Sequence, residues 1–81
     1  MSSWKKTRER VMSGEQDANI GYDELCTLLW RLGYVSSQKR GSHRVFRKAG
    51  LPYINLQEST SGKAKSYQVA QVRQQLSQNQ L

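Results

Sequence analysis

The chain has 81 residues, and 13 Lys and Arg against 6 Asp and Glu give it a formal net charge of +7. This length allows one small domain, residues 1–81, and no second one. A single Cys and a single His exclude a disulfide framework and a metal centre built from several Cys or His ligands. No apolar run is long enough to cross a bilayer, and no signal peptide is evident. We therefore expect a soluble cytoplasmic protein that has no membrane partner.

The first predicted element is a helix over residues 3–12, within an N-terminal extension over residues 1–14. Ser3 is suited to cap this helix. Its buried side would consist of Trp4, Thr7 and Val11. Gly14 can end the helix, since glycine readily adopts the positive φ of a helix C terminus. A polar connection is expected over residues 13–21.

The second predicted helix carries an apolar stripe at helical spacing, formed by Leu25, Leu28, Leu29 and Leu32. Asp23 and Glu24 would lie in its first turn, where negative charge suits the helix dipole, and Gly33 follows its last turn. Cys26 lies beside the stripe. We expect it to be a small buried thiol without a chemical role, because the chain holds no second Cys.

Three short strands are expected next, over residues 34–38, 42–48 and 53–57, with a turn at residues 39–41. Connections this short require antiparallel neighbours. A flexible polar loop is expected over residues 58–65.

Ser66 would cap a last helix whose stripe is Val69, Val72 and Leu76. Six glutamines follow Tyr67, which predicts a polar outer face and a frayed end. The elements together predict an α+β domain: two helices, a three-stranded antiparallel sheet and a third helix, with the helices on one face of the sheet.

The charge is unevenly distributed along the chain. Residues 1–24 carry a net charge of −1, whereas residues 25–81 carry nine cations and one carboxylate. Residues 39–48 alone contain five cations around the single histidine, His43. A basic region of this density is typical of a polyanion binder, because neutralised phosphates release counterions. A solvated basic surface or a site for an acidic protein partner is the alternative interpretation.

Alternation in the second strand places His43, Val45 and Arg47 on one face, and Ser42, Arg44 and Phe46 on the other. If Phe46 faces the helices, His43 lies on the open face of the sheet. Tyr53, Asn55 and Gln57 of the third strand would share that face. The opposite assignment, with Val45 inward, would bury His43.

The segment Gly41-Ser42-His43-Arg44-Val45-Phe46, which follows a Leu-rich helix and Gly33-Tyr34, resembles the HicA toxin family of type II toxin–antitoxin systems. The hallmark of that family is a Gly-Ser-His segment with a phenylalanine shortly after it on the second strand. The similarity covers residues 22–76, about two thirds of the chain, which we take as the core of the domain. The N-terminal helix resembles an extension of a longer branch of the family.

The resemblance implies a double-stranded-RNA-binding-like fold and an endoribonuclease that cleaves mRNA. It also implies inhibition by a cognate HicB-type antitoxin that covers the His43 face. His43 matches the catalytic histidine of the family. Many members have a second histidine directly after it, where this chain has Arg44.

The residues can be weighed for this chemistry on their own. RNA carries its own nucleophile, the 2′-OH, and an imidazole is suited to moving its proton near neutral pH. With one His present, the general acid must be a Lys, a Tyr, water or His43 itself. The carboxylates do not cluster as a metal-dependent phosphodiesterase requires, so we expect neither a metal nor another cofactor.

The RNA-binding candidates are Lys39, Arg40, Gly41, Ser42, Arg44, Arg47, Lys48, Lys63 and Lys65. A non-catalytic RNA-binding module and a subunit that docks an acidic protein remain as alternatives.

Overall fold

The computed structural model describes residues 4–38 and 40–81, which form three helices and one three-stranded antiparallel sheet. The helices are α1 (Trp4–Ser13), α2 (Tyr22–Arg31) and α3 (Ser66–Gln78), and a short 3-10 turn spans Asp17–Asn19. The strands are β1 (Val35–Ser36), β2 (His43–Arg47) and β3 (Ile54–Gln57), paired in the order β1-β2-β3. The predicted α+β class and the order of its elements are therefore confirmed. No helix within the described ranges is both long and apolar enough to traverse a lipid bilayer.

The helices and one face of the sheet enclose the core. The two helical stripes and the alternation in β3 that the sequence indicated are buried as expected, apart from Leu32, which is partly exposed. Full burial of an aliphatic or phenyl side chain contributes about 1.5–3 kcal/mol. The side chains with no exposed surface include Val11, Leu25, Leu28, Leu29, Phe46, Ile54, Leu56, Val69, Val72 and Leu76.

The first two helices are each followed by a glycine with a positive φ, as predicted. Gly14 has φ 72° and Gly33 has φ 96°, conformations that disfavour residues with a side chain. After α2, the Lys48 ammonium donates a hydrogen bond of 2.9 Å to the Leu32 carbonyl oxygen. The cap predicted at Ser3 lies outside the described residues.

The hairpin between β1 and β2 differs from the prediction in its turn. The backbones of Arg40 and His43 exchange two hydrogen bonds of 2.9 Å, so Gly41 and Ser42 form the two-residue turn between them. Gly41 has φ 58° whereas Ser42 does not have a positive φ, which is the pattern of a type II′ turn. The strand therefore begins at His43 rather than at Ser42. Lys39, which the prediction placed in the turn, lies outside the described residues.

Residues 58–65 do not form the free polar loop that their composition indicates. The Ser59 amide donates to the Lys63 carbonyl oxygen at 2.9 Å, which closes the loop on itself. The Ala64 amide donates to the Ile20 carbonyl oxygen at 2.9 Å, and the Tyr22 amide donates to that of Gly62 at 3.0 Å. The loop is thus attached to the entry of α2 by backbone hydrogen bonds.

The N-cap residue predicted for α3 is wrong. Lys65, not Ser66, is its N-cap residue, and no side chain caps the helix there. The outer face of the helix is polar as predicted, with Gln71, Gln74 and Gln78 exposed, although Gln68 and Gln75 are buried. The predicted frayed end is also not observed, because Leu81 packs against the core and its carbonyl oxygen accepts hydrogen bonds from the Arg8 guanidinium.

Candidate nucleic-acid interface

The sheet face that points away from the helices carries the predicted site, and we call it the open face. The strand register arranges its side chains in three rows across the sheet. The register pairs Val35 with Arg47, Val45 with Asn55, and His43 with Gln57. Ser37 extends the second row by its hydrogen bonds with Val45, and Tyr53 extends the first by its ring contact with Arg47, so the rows are Val35–Arg47–Tyr53, Ser37–Val45–Asn55 and His43–Gln57. Phe46 is fully buried and His43 is exposed. The predicted orientation of β2 is therefore confirmed, and the alternative in which Val45 points inward and His43 is buried is wrong.

His43 is the first residue of β2 and follows directly on the Gly41-Ser42 turn. The two backbone hydrogen bonds with Arg40 fix its main chain while its side chain stays exposed. The imidazole borders a shallow depression of about 520 Å³. The residues that line it are Ser37, Gln38, Arg40, His43 and Val45. A phosphate group in this depression would meet both an imidazole and a guanidinium.

Ser37 lines this depression and forms hydrogen bonds that the sequence did not indicate. Its backbone amide donates to the Val45 carbonyl oxygen at 2.9 Å, and its hydroxyl oxygen accepts from the Val45 amide at 3.1 Å. The hydroxyl thus takes the place of a backbone carbonyl and continues the β1–β2 pairing beyond Ser36. No local pattern distinguishes such a serine from an ordinary strand serine.

The predicted cations separate into two groups. Arg40 and Arg47 are exposed and lie on the side of His43. Arg44 lies on the helix side of the sheet, where its guanidinium donates to Cys26 Sγ at 3.5 Å and is 5.1 Å from the centroid of the Trp30 ring. Lys48 has its ammonium on the C terminus of α2. The structure therefore does not bring Arg44 and Lys48 to His43.

A second depression, of about 460 Å³, lies at the same end of the sheet. Its lining residues are Ser42, Gln57, Glu58, Ser59, Thr60 and Lys65. Gln57 is the cross-strand partner of His43 and thus stands between the two depressions. The structure places Ser42 and Lys65 within reach of this part of the site. Lys63 is exposed, and its backbone forms a bridge with Gly21.

The sequence placed Tyr53 on the open face but did not single it out among the RNA-binding candidates. The structure shows the Arg47 guanidinium 5.6 Å from the centroid of the Tyr53 ring, and 60% of Tyr53 is exposed. The sequence pointed to Tyr53 only through its spacing: it lies two and four residues before Asn55 and Gln57, and residues at this spacing in a strand share a face.

Cys26 is a free thiol with no exposed surface, as expected. Burial raises the pKa of this thiol, although hydrogen bonds with Arg44 and Tyr22 act in the opposite direction. Burial likewise raises the pKa of Tyr22 to about 12. Raised pKa values disfavour the thiolate and the phenolate, so neither group is suited to act as a nucleophile.

In the part of the chain that the structure describes, no three His, Cys, Asp or Glu side chains are close enough together to hold a metal ion.

Comparison with known proteins adds no family assignment: no protein-family model matches the chain, and no curated protein and no solved structure is significantly similar to it.

Proposed function

We propose that this protein is a metal-independent endoribonuclease that cleaves mRNA and acts as the toxin of a toxin–antitoxin pair. One observation carries the proposal: His43 is exposed on a sheet face whose charged neighbours, Arg40 and Arg47, are both cations. The resemblance of the Gly41-Ser42-His43 segment to the HicA family supports the same class. It also supports a double-stranded-RNA-binding-like fold and a cytoplasmic site of action.

The proposed reaction uses the 2′-OH of the RNA as nucleophile. His43 removes its proton, the 2′ oxygen attacks the adjacent phosphorus, and the bond from phosphorus to the 5′ oxygen breaks. The products are a 2′,3′-cyclic phosphate and a 5′-OH, which takes up one proton. Arg40 is placed in the same depression to stabilise the negative charge of the phosphorane. In this proposal the protonated His43 then returns the proton to the leaving oxygen.

The proposed inhibitor is a HicB-type antitoxin that covers the open face. The open-face residues include no carboxylate, and residues 25–57 contain none at all. An acidic partner would therefore meet no like charge on this face and would block the depression beside His43.

Induction of the protein in a bacterial host tests the proposal. We expect growth arrest with wild type and normal growth with His43→Ala. Because His43 is exposed, the substitution should leave the circular dichroism spectrum and the expression level unchanged. Gln74→Ala, which changes an exposed residue of α3, is the matched control and should arrest growth like wild type. Arrest by the His43→Ala variant would contradict the proposal.

A non-catalytic RNA-binding module is the second candidate. It is favoured by the absence of a carboxylate or a second imidazole among the open-face residues. This function requires salt-sensitive binding of RNA that stays intact. Incubation of the purified protein with RNA, followed by gel analysis of the RNA length, separates the two functions.

A further inference from the structure

The row Val35–Arg47–Tyr53, at the end of the open face farthest from His43, has the composition of a base-binding platform. Val35 is 69% exposed and Tyr53 is 60% exposed, although large side chains gain stability from burial. The Arg47 guanidinium lies 5.6 Å from the centroid of the Tyr53 ring. These three side chains therefore present an apolar and aromatic surface with a positive charge on it.

The backbone holds this row in a fixed position. Arg47 is paired with Val35 of β1, and Tyr53 directly precedes Ile54, the first residue of β3, which is paired with Phe46. Tyr53 follows Pro52, whose ring restricts its own φ. The Pro52 carbonyl oxygen accepts a hydrogen bond of 3.0 Å from Gln75 of α3. A ligand that stacks on Tyr53 therefore does not have to order the backbone beneath it.

The platform and His43 lie on one path along β2. Arg47 is four residues from His43 on the same face, a distance of about 13 Å at a rise of about 3.3 Å per residue. A nucleic acid that places a phosphate beside His43 can follow this strand to Tyr53. The base that reaches the platform then belongs to a nucleotide beyond those that flank the cleaved bond.

From this arrangement, and resting on the proposed function, we propose that Tyr53 and Arg47 form a stacking subsite for an unpaired base of single-stranded RNA. Bases in a duplex are stacked on each other and cannot offer their faces to a side chain, whereas unpaired bases stack on aromatic rings and guanidinium planes. The subsite thus selects single-stranded RNA. Stacking tolerates all four bases, so this subsite contributes affinity rather than sequence preference.

The charge of the open face favours an anionic occupant over an apolar protein surface. Among the open-face residues that the structure describes, Arg40 and Arg47 are cations beside His43, and none is a carboxylate. An apolar protein partner would have to cover Arg47 without neutralising it, at a desolvation cost that a phosphate backbone avoids.

Binding of a labelled 2′-O-methyl oligonucleotide tests the subsite, because this RNA lacks the nucleophile and stays intact. Affinities are measured for wild type, Tyr53→Ala and Tyr53→Phe, once with a single strand and once with a blunt-ended duplex of two separate strands. Tyr67→Ala is the matched control, since Tyr67 is a tyrosine of similar exposure, 64%, on α3. We expect Tyr53→Ala to weaken single-strand binding by about 5-fold to 100-fold. Tyr53→Phe and Tyr67→Ala should bind like wild type, and duplex binding should not respond to Tyr53→Ala.

Equal binding by the Tyr53→Ala and Tyr67→Ala variants would overturn the subsite, and so would an equal loss toward single strand and duplex. Loss of an acidic partner protein with Tyr53→Ala, without loss of RNA, would assign the row to that partner instead. Cleavage that still depends on His43 would then leave the proposed function intact. Conversely, Tyr53-dependent binding without any cleavage would support the subsite and contradict the endoribonuclease.

Discussion

His43 owes its accessibility to the two residues before it. Gly41 adopts a positive φ that a two-residue hairpin turn requires, and the backbone exchange with Arg40 then starts the strand at His43. A histidine at this position is held by the sheet through its main chain, while its side chain borders the turn and solvent. The Gly-Ser-His order therefore has a geometric consequence that is independent of any family resemblance.

Arg44 and Arg47 offer a matched pair that tests the two faces of β2. Arg47→Ala should weaken RNA binding and reduce the salt dependence of affinity by about one phosphate contact. Arg44→Ala should leave that salt slope unchanged, because its guanidinium lies between Trp30 and Cys26 on the helix side. Titrations of labelled RNA at several salt concentrations measure both slopes. A larger effect from Arg44→Ala than from Arg47→Ala would mean that RNA does not bind the open face.

At the scale of the elements, α3 is joined to the sheet by two buried glutamines. The Gln68 side-chain oxygen accepts a hydrogen bond of 2.8 Å from the Gln57 backbone amide. Gln75 accepts a hydrogen bond from the Tyr34 hydroxyl and donates one to Pro52. The helix that carries these groups thus supports both ends of the β3 segment, and with it the open face.

We expect substitutions at two neighbouring glutamines of α3 to differ in their effect on the free energy of unfolding. Gln75→Ala should lower the free energy of unfolding by about 1–3 kcal/mol, because it leaves the buried Tyr34 hydroxyl without its acceptor. Gln74→Ala, at an exposed position, should change it by less than about 0.5 kcal/mol. Urea denaturation of the three proteins measures the difference. Equal stability of both variants would show that the buried hydrogen bonds contribute nothing.

The burial of these glutamines could not be predicted from the sequence. Apolar periodicity located the cores of α2 and α3, and alternation gave the faces of β2 and β3, because both patterns are local and repeat with the element. The burial of Gln75 depends on Tyr34 and Pro52, which are distant in sequence. The pairing of residues 58–65 with the entry of α2 is equally non-local. Local composition therefore did not indicate that two glutamines of α3 are buried or that residues 58–65 are paired.

At the scale of the whole molecule, ion pairs occupy carboxylates of the first 24 residues with cations that lie outside the open face. Arg10 contacts Glu24 at 3.1 Å, and Arg73 contacts Asp17 at 2.8 Å. Both carboxylates come from the first 24 residues, and they pair with cations of α1 and α3. The open-face cations Arg40 and Arg47 have no carboxylate among those open-face neighbours that the structure describes, so the positive potential is concentrated beside His43.

Alkaline pH should destabilise the molecule as a whole. Burial raises the pKa of Cys26 above its ordinary 9.0, that of Tyr22 to about 12 and that of Tyr34 above 10.0. The folded protein keeps these protons where the unfolded chain releases them. Their contribution to stability is therefore complete below pH 9 and is lost as the pH rises.

Urea denaturation between pH 8 and pH 11 measures this loss. Above pH 10, Tyr22 alone should contribute a slope of about −1.4 kcal/mol per pH unit. Tyr22→Phe should remove that slope, whatever its effect on stability at neutral pH. Tyr67→Phe, which removes an exposed hydroxyl, is the control and should leave the slope as it is. An unchanged slope in Tyr22→Phe would contradict the assignment.

The central claim is that His43 moves the proton of a 2′-OH during RNA cleavage without a metal. The most direct measurement is the cleavage rate of one end-labelled RNA by purified wild type and His43→Ala, both in EDTA. We expect wild type to cleave in EDTA and to leave a 2′,3′-cyclic phosphate, and His43→Ala to be slower by about 100-fold to 10,000-fold. Cleavage at equal rates by both proteins would contradict the claim.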